Sequence, residues 1–588
     1  MLRALPSLIF ALAAASSLLA QQTTTQPPEP PAQTTAPAAT DDKPSRHEPA
    51  KVSSRADLVL VPVIVTDKSG KHVPGLQKDA FRVEENGKVQ SVSIFEEVKT
   101  EKAVFAAANK TPETHSNFTL QDAHPSRVTV VVLDMINTPW MRQVDAKKQL
   151  TTYLLRSVTR DEPMALFGLT SSGLRQIHPF TTDTQVLIDA LQKVQLSLSS
   201  EESTQPPENL TNDSTSQQEN NADLQQMNDF MTDLDTIVTN LYERQAIRQT
   251  LHSMTQLARA YAGIPGRKTL IWATAGFPFM IDDPQAFARM GDDMRLEFEQ
   301  TWKSLGSANI AVYPVDLSAL DFSSTSLPSA TYGQSTSSTK VNNIRGSDGM
   351  KSAMRIPYDK FVQQQMTLHA FADATGGRAC ITTNELEKCF ATAVDDSRDY
   401  YLLGYYLDAG TKPGWHKLKV KVAGEGLHER SRQGFYMPSK ADDTPELHRL
   451  ELAEALTSPV EYTGLHINVQ QLKNANAQAP ASSAGDKKPA QFLLAILGNS
   501  LTIDPEKNNA IDLEVAAVAF DRNHKSAATT SQSIVTSLKP EMTQKILETS
   551  LGVKQQLDLA PGRYEVKFAV RDNLSGLLGT LSLPLEIK

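Results

Sequence analysis

Three polar residues that directly follow a long apolar run are the first candidates for chemistry in this chain. Residues 128–139 read VTVVVLDMINTP, so Asp134, Asn137 and Thr138 stand just beyond a stretch rich in β-branched residues. Such a run predicts a buried strand, and a carboxylate at the carboxyl end of a buried parallel strand lies where open α/β sheets bind ligands. Asp134 could therefore head a metal site. The alternative is that Asp134 caps the following helix or accepts backbone N–H groups.

Other motifs that could carry catalysis fail on their spacing. The GRKT of residues 266–269 lacks the glycine before the lysine, and a strand follows it where a phosphate loop needs a helix. The GLTSSG of residues 168–173 is not a Gly-x-Ser-x-Gly nucleophile motif, and His428-Glu429 lacks the second histidine of a zinc protease. We therefore assign no catalytic residue.

Bulk composition excludes one broad class of function. The chain has 588 residues, which predicts several domains, and a net charge of -9. Nucleic-acid binding is not expected, because no surplus of basic residues exists to neutralise phosphates.

The first twenty residues have the layout of a secretory signal peptide. Arg3 gives a basic start, an apolar core follows around residues 8–15, and small residues stand near Ala20. An uncleaved membrane anchor is the alternative, although the apolar stretch is short for a spanning helix and no later segment is long enough. We expect an exported protein, periplasmic or secreted, with no transmembrane segment after signal cleavage.

The two cysteines of the chain are Cys380 and Cys389. An exported protein can keep a disulfide, so we predict that they are bonded, with two buried free thiols as the alternative. A zinc site is disfavoured because no histidine stands at ligand spacing nearby.

The elements that must position these residues fall into several regions. Residues 21–54 predict a disordered linker, and residues 55–100 a small β unit whose hairpin turns at Asn86-Gly87. Strand and helix patterns alternate from about residue 120 to 438, which is typical of a parallel sheet with crossover helices. Polar insertions interrupt this region at 199–235 and 323–349. Residues 439–490 predict a helix and a linker, and residues 491–588 a β-sandwich-like, immunoglobulin-like domain.

Several segments, taken in order, resemble the von Willebrand factor A-related domain family of exported bacterial proteins. They are VVVLDMINTP at 130–139, RKTLIWATAGFP at 267–278, ANIAVYPVDLSAL at 308–320, FADATGGRACITTNELEKCF at 371–390 and DYYLLGYY at 399–406. The upstream VPGLQKDAFRVEENGKVQSVSIFEE at 73–97 is similar to the β region that precedes this domain in the family. The resemblance covers most of residues 57–437.

The resemblance implies an α/β fold class with a doubly wound, Rossmann-like sheet, flanked by the small β unit and the sandwich-like domain. It also implies a metal-ion-dependent adhesion site, in which Asp134 and Thr138 would hold Mg²⁺. The sequence departs from that site at two positions, because Ile136 replaces the first serine and Ala275 replaces a later carboxylate. We therefore expect a degenerate site, without a required cofactor.

The function that follows is an exported, non-enzymatic binding or adhesion module that recognises a protein or surface polymer. Its expected contact residues lie at the carboxyl end of the sheet: Asp134, Asn137, Thr138, Thr170, Ser171, Ser172 and Thr274. A cell-envelope structural or assembly protein that uses its β domains for contacts is the alternative, and an unrecognised hydrolase is a remote one.

Overall fold

The computed structural model of the chain describes fourteen stretches of sequence. They are residues 58–99, 101–102, 114–117, 126–156, 163–196, 222–277, 292–317, 365–381, 383, 385–408, 410–437, 439, 444–472 and 487–587. The predicted signal peptide, the linker at 21–54 and the insertion at 323–349 lie outside these residues.

The strands and helices are numbered in chain order. The strands are β1 (Leu58–Thr66), β2 (Phe81–Glu85), β3 (Lys88–Gln90), β4 (Ile94–Lys99), β5 (Glu101–Lys102), β6 (Thr114–Ser116), β7 (Ser126–Arg127), β8 (Thr129–Asp134), β9 (Met164–Thr170), β10 (Gly173–Thr181), β11 (Lys268–Thr274), β12 (Ile310–Asp316), β13 (Asp399–Tyr406), β14 (Gly414–Val422), β15 (His428–Ser431), β16 (Gly434–Met437), β17 (Ile467–Leu472), β18 (Lys488–Leu497), β19 (Ala510–Phe520), β20 (Ser526–Ser537), β21 (Ser550–Leu559), β22 (Gly562–Asp572) and β23 (Leu578–Ile587). The helices are α1 (Trp140–Arg156), α2 (Thr184–Gln192), α3 (Ala222–Ala260), α4 (Asp292–Ser307), α5 (365–375), α6 (Leu386–Asp395), α7 (Pro445–Thr457) and α8 (Pro540–Glu548).

The α/β fold class expected from the sequence, with a doubly wound Rossmann-like sheet, is wrong. Strands hold 44% of the structure and helices 29%, and the strands are divided among several separate small sheets. The expectation rested mainly on the alternation of strand and helix patterns between about residues 120 and 438. Most strands before and after that region pair antiparallel, into sheets of their own.

The candidate site lies on a five-stranded sheet with the order β10-β9-β8-β11-β12. Strands β9, β8, β11 and β12 run parallel, whereas β10 is the antiparallel partner of β9. Strand β8 is therefore central, and all six of its residues are buried.

Both faces of this sheet are covered, because side chains that alternate along each strand enter two different cores. On one face Val131 and Leu133 pack with residues of α1, α2 and α6. On the other face Val130, Val132 and Trp272 pack with residues of α3, α4 and α5. Burial on both faces explains why the strands read as near-continuous apolar runs.

Two further sheets are built from strands that are far apart in sequence. Strand β1 pairs with β13 and β15, β13 pairs with β4, and β14 pairs with β2. Two four-stranded sheets result, β15-β1-β13-β4 and β16-β14-β2-β3, and they share a core that includes Val61, Val63 and Leu403. Residues 58–99 and 399–437 therefore form one small sandwich, with the five-stranded sheet between them in the chain.

The last part of the chain is a larger antiparallel sandwich. One sheet has the order β21-β18-β17-β6 and the other β20-β19-β22-β23. Alternate residues of both sheets, among them Phe492, Val515 and Phe568, meet in one core. Helix α7 joins this sandwich to the preceding part, because Leu452 and Ala455 pack in the core beside α3.

The predicted disulfide is confirmed. Cys380 forms a parallel bridge with Val315 beside β12, and Cys389 lies on α6, with their Cα atoms 5.9 Å apart. The bond ties the segment that borders the sheet to the helix that covers it.

Two further observations concern helices. Helix α3 begins at Ala222, so the second part of the polar insertion expected at 199–235 is helical. No helix in the described stretches is both long enough and apolar enough to cross a membrane.

Candidate functional site

Asp134 ends the central strand of the five-stranded sheet. Strands β9 and β11 flank it in parallel, and Asp134 aligns with Leu169 of β9. The aspartate is only 2% exposed to solvent. Its carboxylate is therefore enclosed by the protein.

Both carboxylate oxygens of Asp134 accept hydrogen bonds from N–H groups. The backbone N–H of Asn137 donates to Oδ1 at 3.0 Å, and the side-chain amide of Asn137 donates to Oδ2 at 2.8 Å. The indole Nε1 of Trp272, on the neighbouring strand β11, donates to Oδ2 at 3.0 Å. The chain after β8 folds back on its own carboxylate, which lets a residue three positions later supply two of these donors.

Burial raises the pKa of the Asp134 carboxyl group. Hydrogen bonds from Asn137, Thr274 and Trp272 act in the opposite direction and offset part of this rise. Loss of water disfavours the charged form, whereas donors that point at the carboxylate favour it. Here the loss of water dominates.

Thr138 and Thr274 tie together the two loops that leave adjacent strands. The Thr138 hydroxyl accepts the backbone N–H of Ala275 at 3.0 Å, and Gln143 donates to the Thr138 carbonyl oxygen at 2.7 Å. The Thr274 hydroxyl lies near the Asp134 carboxylate and 2.9 Å from the carbonyl oxygen of Gly276. Thr138 and Thr274 are both fully buried.

We call the set Asp134, Asn137, Thr138, Trp272 and Thr274 the Asp134 network. Its outer margin is a contact with helix α3, because the Asn137 amide also donates to the Thr250 hydroxyl at 3.0 Å. Its inner margin is aromatic, because the Trp272 ring packs edge-on against Phe277 and Phe371 with centroids 5.8 and 5.3 Å away. Thr250 of helix α3 therefore covers the network at Asn137, and Phe277 and Phe371 cover it at Trp272.

The residues of the Asp134 network do not fit a hard divalent cation. A cation at the carboxylate would face the N–H groups of Asn137 and Trp272, whose positive ends already point at both oxygens. The side chains at the two departures from the adhesion pattern, Ile136 and Ala275, offer no oxygen ligand. In the described stretches no group of three or more His, Cys, Asp or Glu side chains could hold a metal ion.

The other expected contact residues lie in the turn between β9 and β10. Thr170 is half-buried, and its hydroxyl donates to the Gly173 carbonyl oxygen at 3.0 Å, closing the turn. Ser171 and Ser172 at the tip are exposed. The structure therefore divides the expected set into a buried network and an exposed turn.

Two apolar side chains stand at the same edge of the sheet. Trp140 and Met141 begin helix α1, immediately after the loop of the Asp134 network, and are 42% and 64% exposed. The loops that follow parallel neighbours β8 and β9 leave the same edge of the sheet, so this helix start and the β9–β10 turn both lie at that edge. We call the set Trp140, Met141, Ser171 and Ser172 the rim.

The sequence reasoning missed Trp272, Gln143 and Thr250 as members of this site. A signal for Trp272 was present, because a tryptophan in a buried strand needs an acceptor for its indole N–H. The parallel neighbour of that strand ends in a carboxylate, which is such an acceptor. The contribution of Thr250 depends on how helix α3 packs, for which the sequence has no comparable signal.

The opposite edge of the sheet holds a buried lysine. Lys268, the lysine of the GRKT segment, is 2% exposed, and its ammonium donates to the carbonyl oxygens of Ile264 and Gly266 at 2.6 and 3.0 Å. Burial lowers its pKa from 10.5 to about 7. These contacts hold the turn that enters β11, which agrees with a structural use of the segment.

Comparisons with known proteins assign no family. No family model matches the chain, and no curated protein matches it. Among solved structures, proximal thread matrix protein 1 from the mussel byssus is similar with a TM-score of 0.18 and 11% identity, over 38% of this chain and 39% of that one. A glycosyl hydrolase family 2 member from Bacteroides cellulosilyticus is similar with a TM-score of 0.14 and 11% identity, over 32% of this chain and 20% of that one. The chain thus spans about two fifths or less of each, and likenesses this weak carry no argument about fold or activity.

Proposed function

We propose that the chain is an exported, non-enzymatic binding module that recognises a protein or surface polymer through the rim at the carboxyl edge of the five-stranded sheet. The observation that carries the proposal is the pairing of an enclosed polar network with an exposed apolar helix start. The internal hydrogen bonds of Asp134 fix the loop from which Trp140 and Met141 project.

The Asp134 network acts in this proposal as a rigid support. A surface whose backbone is held before binding loses less conformational freedom on association than a mobile loop does. Exposed aromatic and methionine side chains are enriched at protein interfaces, and the serines of the turn can donate to polar groups of a ligand. Recognition therefore does not need a metal ion.

The proposal is non-enzymatic because the Asp134 carboxylate already has its hydrogen-bond partners. The Asp134 carboxylate is enclosed and accepts N–H groups, so it is unsuited to act as a general base toward a substrate in solvent. Export is supported by the disulfide, since such bonds persist in oxidising compartments.

The test measures binding of the full-length chain to immobilised bacterial envelope fractions, one of protein and one of polysaccharide. Met141→Asp should weaken binding at least about tenfold, because it places a charge in the contact. The matched control is Leu450→Asp, at a leucine that is 68% exposed on helix α7, an element that contributes no residue to the rim.

The result expected is binding that survives the Leu450 change and the addition of a chelator, but not the Met141 change. Equal binding by wild type and both variants would place the contact elsewhere. Binding that a chelator abolishes would restore a metal-dependent site.

A further inference from the structure

The larger sandwich ends in an edge strand that has one partner. Strand β20 pairs with β19 from Ala510↔Ser537 to Ala519↔Ala528. On its other side no strand pairs with it within the described part of the chain. Backbone N–H and C=O groups on such a side can pair with an added strand.

Strand β20 lacks charges and prolines, two usual protections against strand pairing, and its one register shift lies at the Ser526 end. From Ser526 to Ser537 it reads SAATTSQSIVTS, with no charged residue and no proline. Charges begin only beyond its ends, at Lys525 and Lys539. Val535 is 70% exposed although it is apolar. Natural edge strands usually carry charges, prolines or bulges, or are short.

Edge strands elsewhere in the molecule carry such protections. Strand β23, the opposite edge of the same sheet, contains Pro584, and β21 carries Lys554 and Asp558. Strand β10 has two register shifts against its neighbour, and β3, β6, β15 and β16 are three or four residues long. The unprotected edge of β20 is therefore a local feature.

We propose that two copies of this chain associate through β20, antiparallel, so that the two outer sheets join into one continuous sheet. Because β20 has no charged residue, it has no feature that would select a partner of opposite charge. A second copy of β20 fits instead, because two identical antiparallel strands are complementary to each other about a two-fold axis. Paired identical surfaces of this kind are the commonest basis of homodimers.

A register centred on Gln532, whose side chain accepts a hydrogen bond from Gln555 of the same copy at 3.4 Å, pairs compatible side chains on both faces. It places Thr529 opposite Val535 of the second copy and Thr530 opposite Ile534, which are β-branched pairs that stabilise sheets. It also places Ser531 opposite Ser533. A bulge at the Ser526 end of the strand limits the ladder to residues 528–536.

The test is sedimentation velocity of the full-length chain over a concentration series. Wild type should form a dimer as concentration rises. The double variant Ser531→Lys/Ser533→Lys should weaken the dimer by about tenfold or more, because the register sets like charges directly opposite each other. Gln556→Lys adds one positive charge on the exposed face of neighbouring β21 and should leave the dimer unchanged.

A charge-swap experiment separates loss of pairing from loss of folding. The variant Ser531→Glu/Ser533→Glu should also be monomeric alone, and mixing it with the lysine variant should restore a dimer. Wild type that stays monomeric at every concentration would overturn the proposal, as would a dimer that the lysine variant retains. Failure of the mixture to associate, with both variants melting as wild type does, would overturn it as well.

Discussion

Replacing Asp134 with alanine tests whether the Asp134 network is structural. The change leaves the indole N–H of Trp272 and two N–H groups of Asn137 without their acceptor. A buried donor that loses its partner costs about 1–3 kcal/mol. Trp272 is fully buried and bears this cost in full, whereas the Asn137 amide keeps its bond to Thr250 and bears less.

The expected net loss of unfolding free energy is about 2–4 kcal/mol. The orphaned donors sum to more than this, but the variant also escapes the cost of burying a carboxyl group, which is the cause of its raised pKa. Loss of a buried hydrogen-bond network is one of the few mechanisms that produce effects this large.

The assay is urea unfolding followed by tryptophan fluorescence, since Trp272 and Trp302 both pack with Phe371 in the core beside the network. The control is Asp408→Ala, which removes an exposed carboxylate that pairs with Lys88 and should cost less than about 1 kcal/mol. Each protein is also measured with millimolar Mg²⁺, which should leave every midpoint unchanged.

Two results would refute the reasoning. One is a loss for Asp134→Ala no larger than that of the control, which would mean that the donors find other acceptors. The other is a wild-type midpoint that rises with Mg²⁺ while that of the Asp134 variant does not, which would identify a bound cation.

Three further predictions concern other parts of the structure. Because the Lys268 pKa falls from 10.5 to about 7 on folding, stability should rise by up to about 5 kcal/mol between these pH values, and Lys268→Met should flatten this rise in urea titrations. Replacing Cys380 and Cys389 together with serine should cost about 2–3 kcal/mol, seen as a lower thermal midpoint that reducing agent no longer changes. Gly377→Ala should lower the free energy of unfolding by about 3 kcal/mol or more, measured by calorimetry, because the new Cβ would lie 1.8 Å from a backbone carbonyl oxygen of β12. The control is Gly552→Ala, whose new Cβ would have its nearest contact 3.6 Å away and which should change that free energy by less than about 1 kcal/mol.

Local features of the sequence predicted local structure well. The apolar run before Asp134 is a buried strand, and Asn86 and Gly87 form the turn between β2 and β3 with φ values of 48° and 83°. Asn-Gly favours such turns because both residues tolerate positive φ. The disulfide was also predictable, because only two cysteines exist and they lie close in the chain.

The partners of the strands were not predictable from the same patterns. Alternation along a strand shows which side chains enter a core, but it does not show which distant strand lies alongside. Strand β1 therefore gave no sign that β13, more than three hundred residues later, is its neighbour. The fold class was wrong for the same reason, since the pairing of the outer strands decides it.

The state of Asp134 was left open by the sequence for a different reason. A carboxylate after a buried strand can face a ligand or the protein, and the spacing of its neighbours is compatible with both. The choice depends on Trp272, which reaches Asp134 only because β8 and β11 are adjacent and parallel. Local sequence does not show that these two strands are adjacent, because their adjacency is a property of the tertiary structure.

The small sandwich has a consequence for how the chain folds. Its strand β4 pairs with β13 in a register that joins Lys99 to Asp399, so about 300 residues separate two strands that lie side by side. At about 5–20 residues per second, synthesis of that interval takes roughly 15–60 s. Throughout this time β1, with its partners β13 and β15 not yet made, is an unpaired apolar strand. The small sandwich therefore begins early in synthesis but can be completed only late. During this delay its unpaired strands are most exposed to aggregation and most in need of a chaperone.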